Sequence, residues 1–211
     1  MRRAPSVRNL RLLKSLLFVI ALWPAVQLTL ATLQIAGFSL GANPVEELLH
    51  HAGNWGLRFL LITLAITPLR RLTGLNWLIR FRRMLGLFAF FYVCAHFLIF
   101  ALLDQRLEMA AIIEDIIERP YITLGITALL MLIPLALTST NAMVRRLGRR
   151  WQQLHRLIYP IAILGVWHFW WQVKEDILEP LIYAVILAIL LGYRIWFHRG
   201  SKKRALAGTV R

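Results

Sequence analysis

Cysteine and carboxylate side chains are scarce in this sequence of 211 residues. Its single cysteine, Cys94, excludes an intramolecular disulfide and any cluster held by several thiolates. Only ten Asp and Glu residues accompany 25 Lys and Arg residues, which gives a formal net charge of +15. Charged residues make up 17% of the chain and hydrophobic residues 59%. This composition disfavours a soluble globule and excludes disorder, which requires few apolar residues.

Long runs without charge indicate membrane-spanning helices. A bilayer core of about 30 Å needs roughly 20 mostly apolar residues per helix. We predict an all-α integral membrane protein, a six-transmembrane-helix bundle that forms a single domain over residues 1–211. The predicted spans cover residues 12–35, 53–69, 84–103, 121–137, 154–173 and 181–197. Arg58 lies inside the second span, and its side chain is expected to reach the nearer interface. No internal repeat is evident.

Basic residues cluster on one side of the predicted bundle. Of the 25 Lys and Arg residues, 21 lie in the N-terminal segment, around the connections after spans two and four, and at the end of span six and beyond. All ten acidic residues lie in the remaining connections. The positive-inside rule then places both termini in the cytoplasm. Topology and anionic lipid explain the net charge, so nucleic acid is not expected as a partner.

Three histidines lie within predicted spans, where ionisable residues are costly and indicate function. His96 in the third span and His168 in the fifth lie at matching depth, roughly 18–21 Å from the cytoplasmic end. Two neutral imidazoles that face each other across a bundle core are suited to be axial ligands of one haem iron. No carboxylate lies at that depth to complete a hydrolytic metal site. A hydrogen bond between helices, without a cofactor, is the alternative for either histidine.

The third histidine, His155, lies at the cytoplasmic edge, roughly 20 Å from His168 along the fifth span. Arg82 and Arg83 occupy the level positions on the third span, and arginine binds phosphate well but is a poor iron ligand. The residues therefore leave several occupants open for this lower site. They are a haem with one histidine ligand, a phosphate-bearing flavin, a quinone headgroup, or lipid phosphate alone.

Several segments together resemble one known family. They are ITPLRR (66–71), RFRRMLGL (80–87), AHFLIF (95–100), RPYITLG (119–125) and LALTSTNAMVRRLGRRWQQLHRLIYP (135–160), followed by His168. Through these segments the chain resembles the haem-binding membrane subunits of bacterial periplasmic protein-methionine-sulfoxide reductase systems. That family belongs to the ferric-reductase-like transmembrane superfamily. The resemblance extends from the first predicted span to the sixth.

The resemblance implies a multi-pass b-type cytochrome of the bacterial inner membrane. It implies one haem b or two, with flavin mononucleotide (FMN) as a further cofactor, and His96, His155 and His168 match the family's haem-associated histidines. The implied partner is a soluble periplasmic molybdopterin enzyme that reduces methionine sulfoxide in oxidised proteins. The implied donor is quinone or a cytoplasmic flavin reductase. In the wider superfamily two helices supply two histidines each, whereas the third span here contains only His96.

Transmembrane electron transfer is the first hypothesis for function. No nucleophile–base pair or open metal site for substrate chemistry is visible, so sulfoxide reduction by this chain alone is not expected. A ferric or quinone reductase with another partner is the second hypothesis. A cofactor-free transporter or scaffold subunit is the third.

Overall fold

The structure, a computed structural model, describes residues 5–173 and 177–208, with side chains as far as Phe197. This part of the chain is helical and contains no β-strand. Its nine α-helices are α1 (Val7–Thr32), α2 (Pro44–Thr73), α3 (Arg82–Ile99), α4 (Met109–Glu118), α5 (Pro120–Leu137), α6 (Asn141–Leu147), α7 (Arg149–Leu154), α8 (Ile158–Gln172) and α9 (Leu178–Gly208). Short 3-10 helices at Asn76–Phe81 and His155–Leu157 precede α3 and α8, and a π-helix at Phe100–Asp104 follows α3. The predicted all-helical fold class is confirmed. The charged loop residues Lys174, Glu175 and Asp176 and the side chain of His198 lie outside this description.

Five helical segments in the described part are long and apolar enough to cross a membrane. They are α1, α2, the segment Asn76–Asp104 that contains α3, α5, and Leu178–Phe197 of α9. The fifth predicted span, residues 154–173, corresponds to α8, which has only 15 residues. The count of six crossings and the cytoplasmic position of the termini stay predictions.

The helix that contains the second predicted span, residues 53–69, is longer than the prediction. α2 begins nine residues earlier, at Pro44, and has 30 residues. Proline is preorganised for the first helical position, and Glu46 and Glu47 in the first turn favour the positive end of the helix dipole. The helix ends before Gly74, whose φ of +72° gives the left-handed conformation common after a helix C-terminus.

Two helix pairs form the centre of the bundle. α2 packs most extensively on α3, and α5 packs most extensively on α8. Buried side chains from all four helices meet in one apolar core that includes Leu64, Leu85, Leu132 and Ile161. Many apolar side chains also face outward, such as Ile189, which is 64% exposed. Such a surface is expected where lipid rather than water surrounds the helices.

α1 is attached to the bundle at a proline. Pro24 lies inside α1, where proline disrupts the ladder of backbone hydrogen bonds. The hydroxyl of Tyr92, a buried residue of α3, enters the ladder beside it. This hydroxyl donates to the carbonyl of Ala21 at 2.8 Å and accepts from the amide of Ala25 at 3.0 Å. Tyr92 therefore bridges two backbone groups that would pair with each other in an uninterrupted helix.

Candidate functional site

The structure brings the imidazoles of His96 and His168 together. His96 comes from α3 and His168 from α8, so each belongs to a different central helix pair. Their ring centroids are 6.0 Å apart, and the ring planes meet at 79°. The matching depth predicted from the sequence is therefore seen as a direct approach of the two side chains.

Both imidazoles are oriented by backbone carbonyls of the neighbouring helix. Nδ1 of His96 lies 2.9 Å from the carbonyl oxygen of Leu49, and Nδ1 of His168 lies 2.6 Å from that of Tyr121. Because a carbonyl only accepts, each Nδ1 carries the hydrogen. In a neutral imidazole Nε2 is then the nitrogen with a free lone pair. Such a backbone contact is the usual way in which a metal-ligating histidine is held in one tautomer.

The spacing of the two rings fits a shared metal ion. Two metal–imidazole bonds of about 2 Å, plus about 1 Å from each nitrogen to its ring centre, separate the ring centroids of a bis-imidazole pair by about 6 Å. The observed separation is 6.0 Å. In the described part of the chain no group of three or more His, Cys, Asp or Glu side chains could hold a metal ion. The donor set is thus two imidazoles, which suits a haem iron whose other ligands come from the porphyrin.

A cavity of about 220 Å³ surrounds the His96–His168 pair. We refer to it as the upper cavity. It lies between α2, α3, α5 and α8, and most of its lining is apolar. Its polar lining residues other than the two histidines are His50, Asn54, Asp104, Arg119, Tyr121 and Gln172. An apolar cavity with a few polar groups is the usual form of a small-molecule or cofactor site.

A second cavity, of about 940 Å³, contains the remaining predicted site residues. We refer to it as the lower cavity. His155, Arg82 and Arg83 all line it, together with Lys14 and Arg80. No acidic residue is among its described lining residues. The lower cavity is therefore cationic, and it fits a ligand with an anionic group such as phosphate.

His155 is held differently from the other two histidines. It lies in the 3-10 helix before α8, at the start of the predicted fifth span, and its ring stacks on Trp151 with centroids 3.9 Å apart. Its Nε2 is 3.1 Å from the hydroxyl of Thr138, which donates its hydrogen to the carbonyl of Pro134 at 2.6 Å. The hydroxyl therefore accepts from Nε2, so the nitrogen that is free in the upper pair is occupied in His155.

One arginine of the lower cavity connects two helices. Arg83 donates to the side-chain oxygen of Asn141 at 2.6 Å, which links α3 to α6. Arg82 lies at the first position of α3, so its side chain comes from the same turn. The structure thus brings Arg82 and Arg83 to one cavity with His155, as the level positions on the third span predicted.

The two cavities share one lining residue. Leu132 of α5 lines both of them. Its side chain is 4% exposed and belongs to the apolar core. The upper and lower cavities therefore adjoin at Leu132.

Three other polar residues have contacts that the sequence did not predict. Arg58, whose position at the membrane interface stays a prediction, donates to the hydroxyl of Tyr183 at 2.7 Å and pairs with Glu179 at 3.3 Å. Nε2 of His51 lies 3.2 Å from the carbonyl oxygen of Pro24. His50 lines the upper cavity, and its Nε2 lies 3.1 Å from the side-chain nitrogen Nε2 of Gln172.

Fold and site define a class of protein: a helical membrane protein with two imidazoles presented to one cavity between helices. Comparison with known proteins narrows this class. Residues 52–166 match the family described as the ferric reductase like transmembrane component. No solved structure matches the chain.

The relatives agree in their description. The chain is 52% identical over 210 residues to the protein-methionine-sulfoxide reductase heme-binding subunit MsrQ of Herminiimonas arsenicoxydans, covering 97% of this chain and 95% of the relative. It is 50% identical to MsrQ of Ralstonia nicotianae, covering 95% and 93%. It is 59% identical over 169 residues to MsrQ of Xanthomonas campestris, covering 80% and 77%. The chain belongs to the MsrQ family, within the ferric-reductase-like transmembrane superfamily. It is therefore a multi-pass protein of the bacterial inner membrane.

Proposed function

We propose that this chain is a b-type cytochrome that carries electrons across the inner membrane to a periplasmic molybdopterin-containing methionine-sulfoxide reductase. The observation that carries the proposal is the approach of His96 and His168, with centroids 6.0 Å apart and both Nδ1 atoms engaged by carbonyls. The relatives, which are named as heme-binding subunits of that reductase system, support it. Haem, when bound, supplies one-electron transfer, and the chain supplies its placement.

In this proposal His96 and His168 hold the haem iron through Nε2. The mostly apolar lining of the upper cavity would keep water away from a haem held there. With both termini in the cytoplasm, the pair lies in the periplasmic half of the bilayer, near a periplasmic acceptor. The whole chain of 211 residues acts as one domain in this arrangement.

The lower cavity is proposed to hold a second redox group, which receives electrons from quinone or a cytoplasmic flavin reductase. Its cations support this assignment, because Arg82 and Arg83 suit the phosphate of FMN or the anionic groups of a second haem. His155 contributes an imidazole to the same cavity. Leu132, shared by both cavities, leaves a short distance between the two sites.

The upper assignment is tested by the optical spectrum of the purified protein. The wild-type chain should show a reduced-minus-oxidised b-haem spectrum, and His96→Ala or His168→Ala should abolish most of it. His51→Gln is the matched control, because His51 lies on α2 but lines neither cavity. A colourless wild-type protein after expression with sufficient haem would overturn the proposal.

The lower assignment is tested by cofactor analysis. Haem and flavin are quantified in the wild-type chain and in an Arg82→Gln/Arg83→Gln variant, with Arg150→Gln as a control outside both cavities. We expect the double variant to lose the lower group while it keeps the upper haem. Equal cofactor content in all three proteins would contradict a role for these arginines.

A further inference from the structure

The same three-residue arrangement occurs twice around the upper cavity. In α2 and α3 it consists of the carbonyl of Leu49, Gly53 one turn later, and the imidazole of His96. In α5 and α8 it consists of the carbonyl of Tyr121, Gly125 one turn later, and the imidazole of His168. Carbonyl and histidine are 47 residues apart in both copies. Each copy lies 72 residues from the other, so the site has an internal two-fold correspondence.

Each glycine lies directly against its imidazole. A Cβ added to Gly53 would be 3.0 Å from Nδ1 of His96, and one added to Gly125 would be 3.1 Å from Nδ1 of His168. These separations are shorter than ordinary van der Waals contact. The ring would have to move away from the helix that orients it.

The glycine also explains how the carbonyl is reached. In an α-helix the carbonyl of residue i already accepts from the amide of residue i+4. The carbonyls of Leu49 and Tyr121 are thus paired with the amides of Gly53 and Gly125, and only a second lone pair remains for the imidazole. Without a Cβ at the glycine, the ring can approach this lone pair from the side of the helix.

We propose that Gly53 and Gly125 are positioning residues that fix the planes of the two axial imidazoles nearly perpendicular to each other. The proposal rests on the proposed haem ligation by His96 and His168. Each ring is held at Nδ1 by a carbonyl, and the glycine lies against the same part of the ring, so the ring has little freedom to turn. The angle of 79° between the ring planes is the result.

Perpendicular imidazoles have a spectroscopic consequence. Each ring interacts most strongly with the iron d orbital perpendicular to its own plane. Parallel rings act on the same orbital and separate it in energy from its partner, whereas perpendicular rings act on both and leave them nearly degenerate. Low-spin ferric haem should therefore show one dominant low-field g value in electron paramagnetic resonance, rather than a rhombic three-line spectrum.

The experiment compares Gly53→Ala and Gly125→Ala with the wild-type chain and with Gly192→Ala. Gly192 is a helical glycine in α9 whose added Cβ would meet nothing within 4 Å, and it lines neither cavity. We expect the wild type and Gly192→Ala to share the dominant low-field signal. Either cavity variant should shift this signal and weaken haem binding about tenfold, as is typical when a contact that orients a metal ligand is lost.

A second measurement does not depend on the folding of the glycine variants. In His96→Gly, added imidazole should restore the low-spin signal about tenfold more tightly than 1-methylimidazole, because only imidazole can donate to the carbonyl of Leu49. Equal rescue by both would contradict the carbonyl contact at which the ring is held, and with it the fixed ring plane, while unchanged signals in both glycine variants would overturn the positioning role of the glycines. A wild-type chain with haem but a rhombic spectrum would also overturn it, whereas a wild type without haem would overturn the proposed function itself.

Discussion

Arg194 of α9 donates a hydrogen bond of 2.6 Å to the backbone carbonyl of Leu64 in α2. In a regular helix this carbonyl would accept from the amide of residue 68, but residue 68 is a proline and has no N–H. The guanidinium also donates to the hydroxyl of Tyr159 in α8 at 2.6 Å, and the residue is 8% exposed. Arg194, which the charge pattern predicts on the cytoplasmic side, thus connects α2, α8 and α9 at the point where Pro68 interrupts the backbone hydrogen bonds of α2.

Replacement of Arg194 by methionine should destabilise the bundle, because the carbonyl of Leu64 and the hydroxyl of Tyr159 both lose their donor. We expect a loss of about 1–2 kcal/mol in the free energy of unfolding, measured by denaturation of the protein in detergent micelles. The matched variant is Pro68→Ala, which supplies the missing N–H. In that background Arg194→Met should cost clearly less, and an equal cost in both backgrounds would contradict this explanation.

Tyr92→Phe should loosen α1 without a change at the candidate sites. The variant removes the hydroxyl that bridges Ala21 and Ala25 and keeps the ring that stacks on Phe59. We expect a loss of stability of about 1 kcal/mol and faster proteolysis near α1. Because Tyr92 lines neither cavity, the haem spectrum should not change. A changed haem spectrum together with an unchanged rate of proteolysis would contradict the assignment of Tyr92 to the attachment of α1.

The approach of His96 and His168 was predictable because it depends on quantities that the sequence fixes. The rise per residue of a helix and the ends of the charge-free runs give the depth of each histidine. The oxygens of Leu49 and Tyr121 were not predictable, because they depend on which helices pair and in which rotation. The spacing of 43 residues from Gly53 to His96 recurs from Gly125 to His168. A correspondence of so few residues is not visible as an internal repeat in the sequence, and only the contacts around the upper cavity bring it out.

Three further features of the structure differ from the sequence-based predictions or were not among them, and each has a local cause. The early start of α2 was foreseeable, since Pro44, Glu46 and Glu47 are ordinary signals of a helix N-terminus. The burial of Arg194 was not foreseeable, because it follows from Pro68 in one helix and Tyr159 in another. Similarly, only the packed structure shows that Thr138 occupies Nε2 of His155.

His155→Ala should leave the upper site intact. His155 lines only the lower cavity, and its contacts are with Thr138 and Trp151 rather than with the upper pair. We therefore expect the variant to keep the low-spin signal that depends on His96 and His168, while any group in the lower cavity is bound more weakly. Electron paramagnetic resonance and cofactor analysis on one sample measure both effects. Loss of the upper signal in His155→Ala, with retention of protein fold by circular dichroism, would show that the two sites are not separate.

The crossing of the membrane by α8 can be decided with single cysteines. At 15 residues α8 is about 22 Å long, less than the bilayer core of about 30 Å, so a crossing requires its flanking turns or a locally thin bilayer. In a Cys94→Ser background, Ala142→Cys reports on the connection before α8 and Ile177→Cys on the connection after it. If α8 crosses with the termini in the cytoplasm, a membrane-impermeant maleimide added to intact spheroplasts should label only Ile177→Cys. Both variants should react after permeabilisation. Equal labelling of the two in intact spheroplasts would place both connections on one side and exclude the six-span topology.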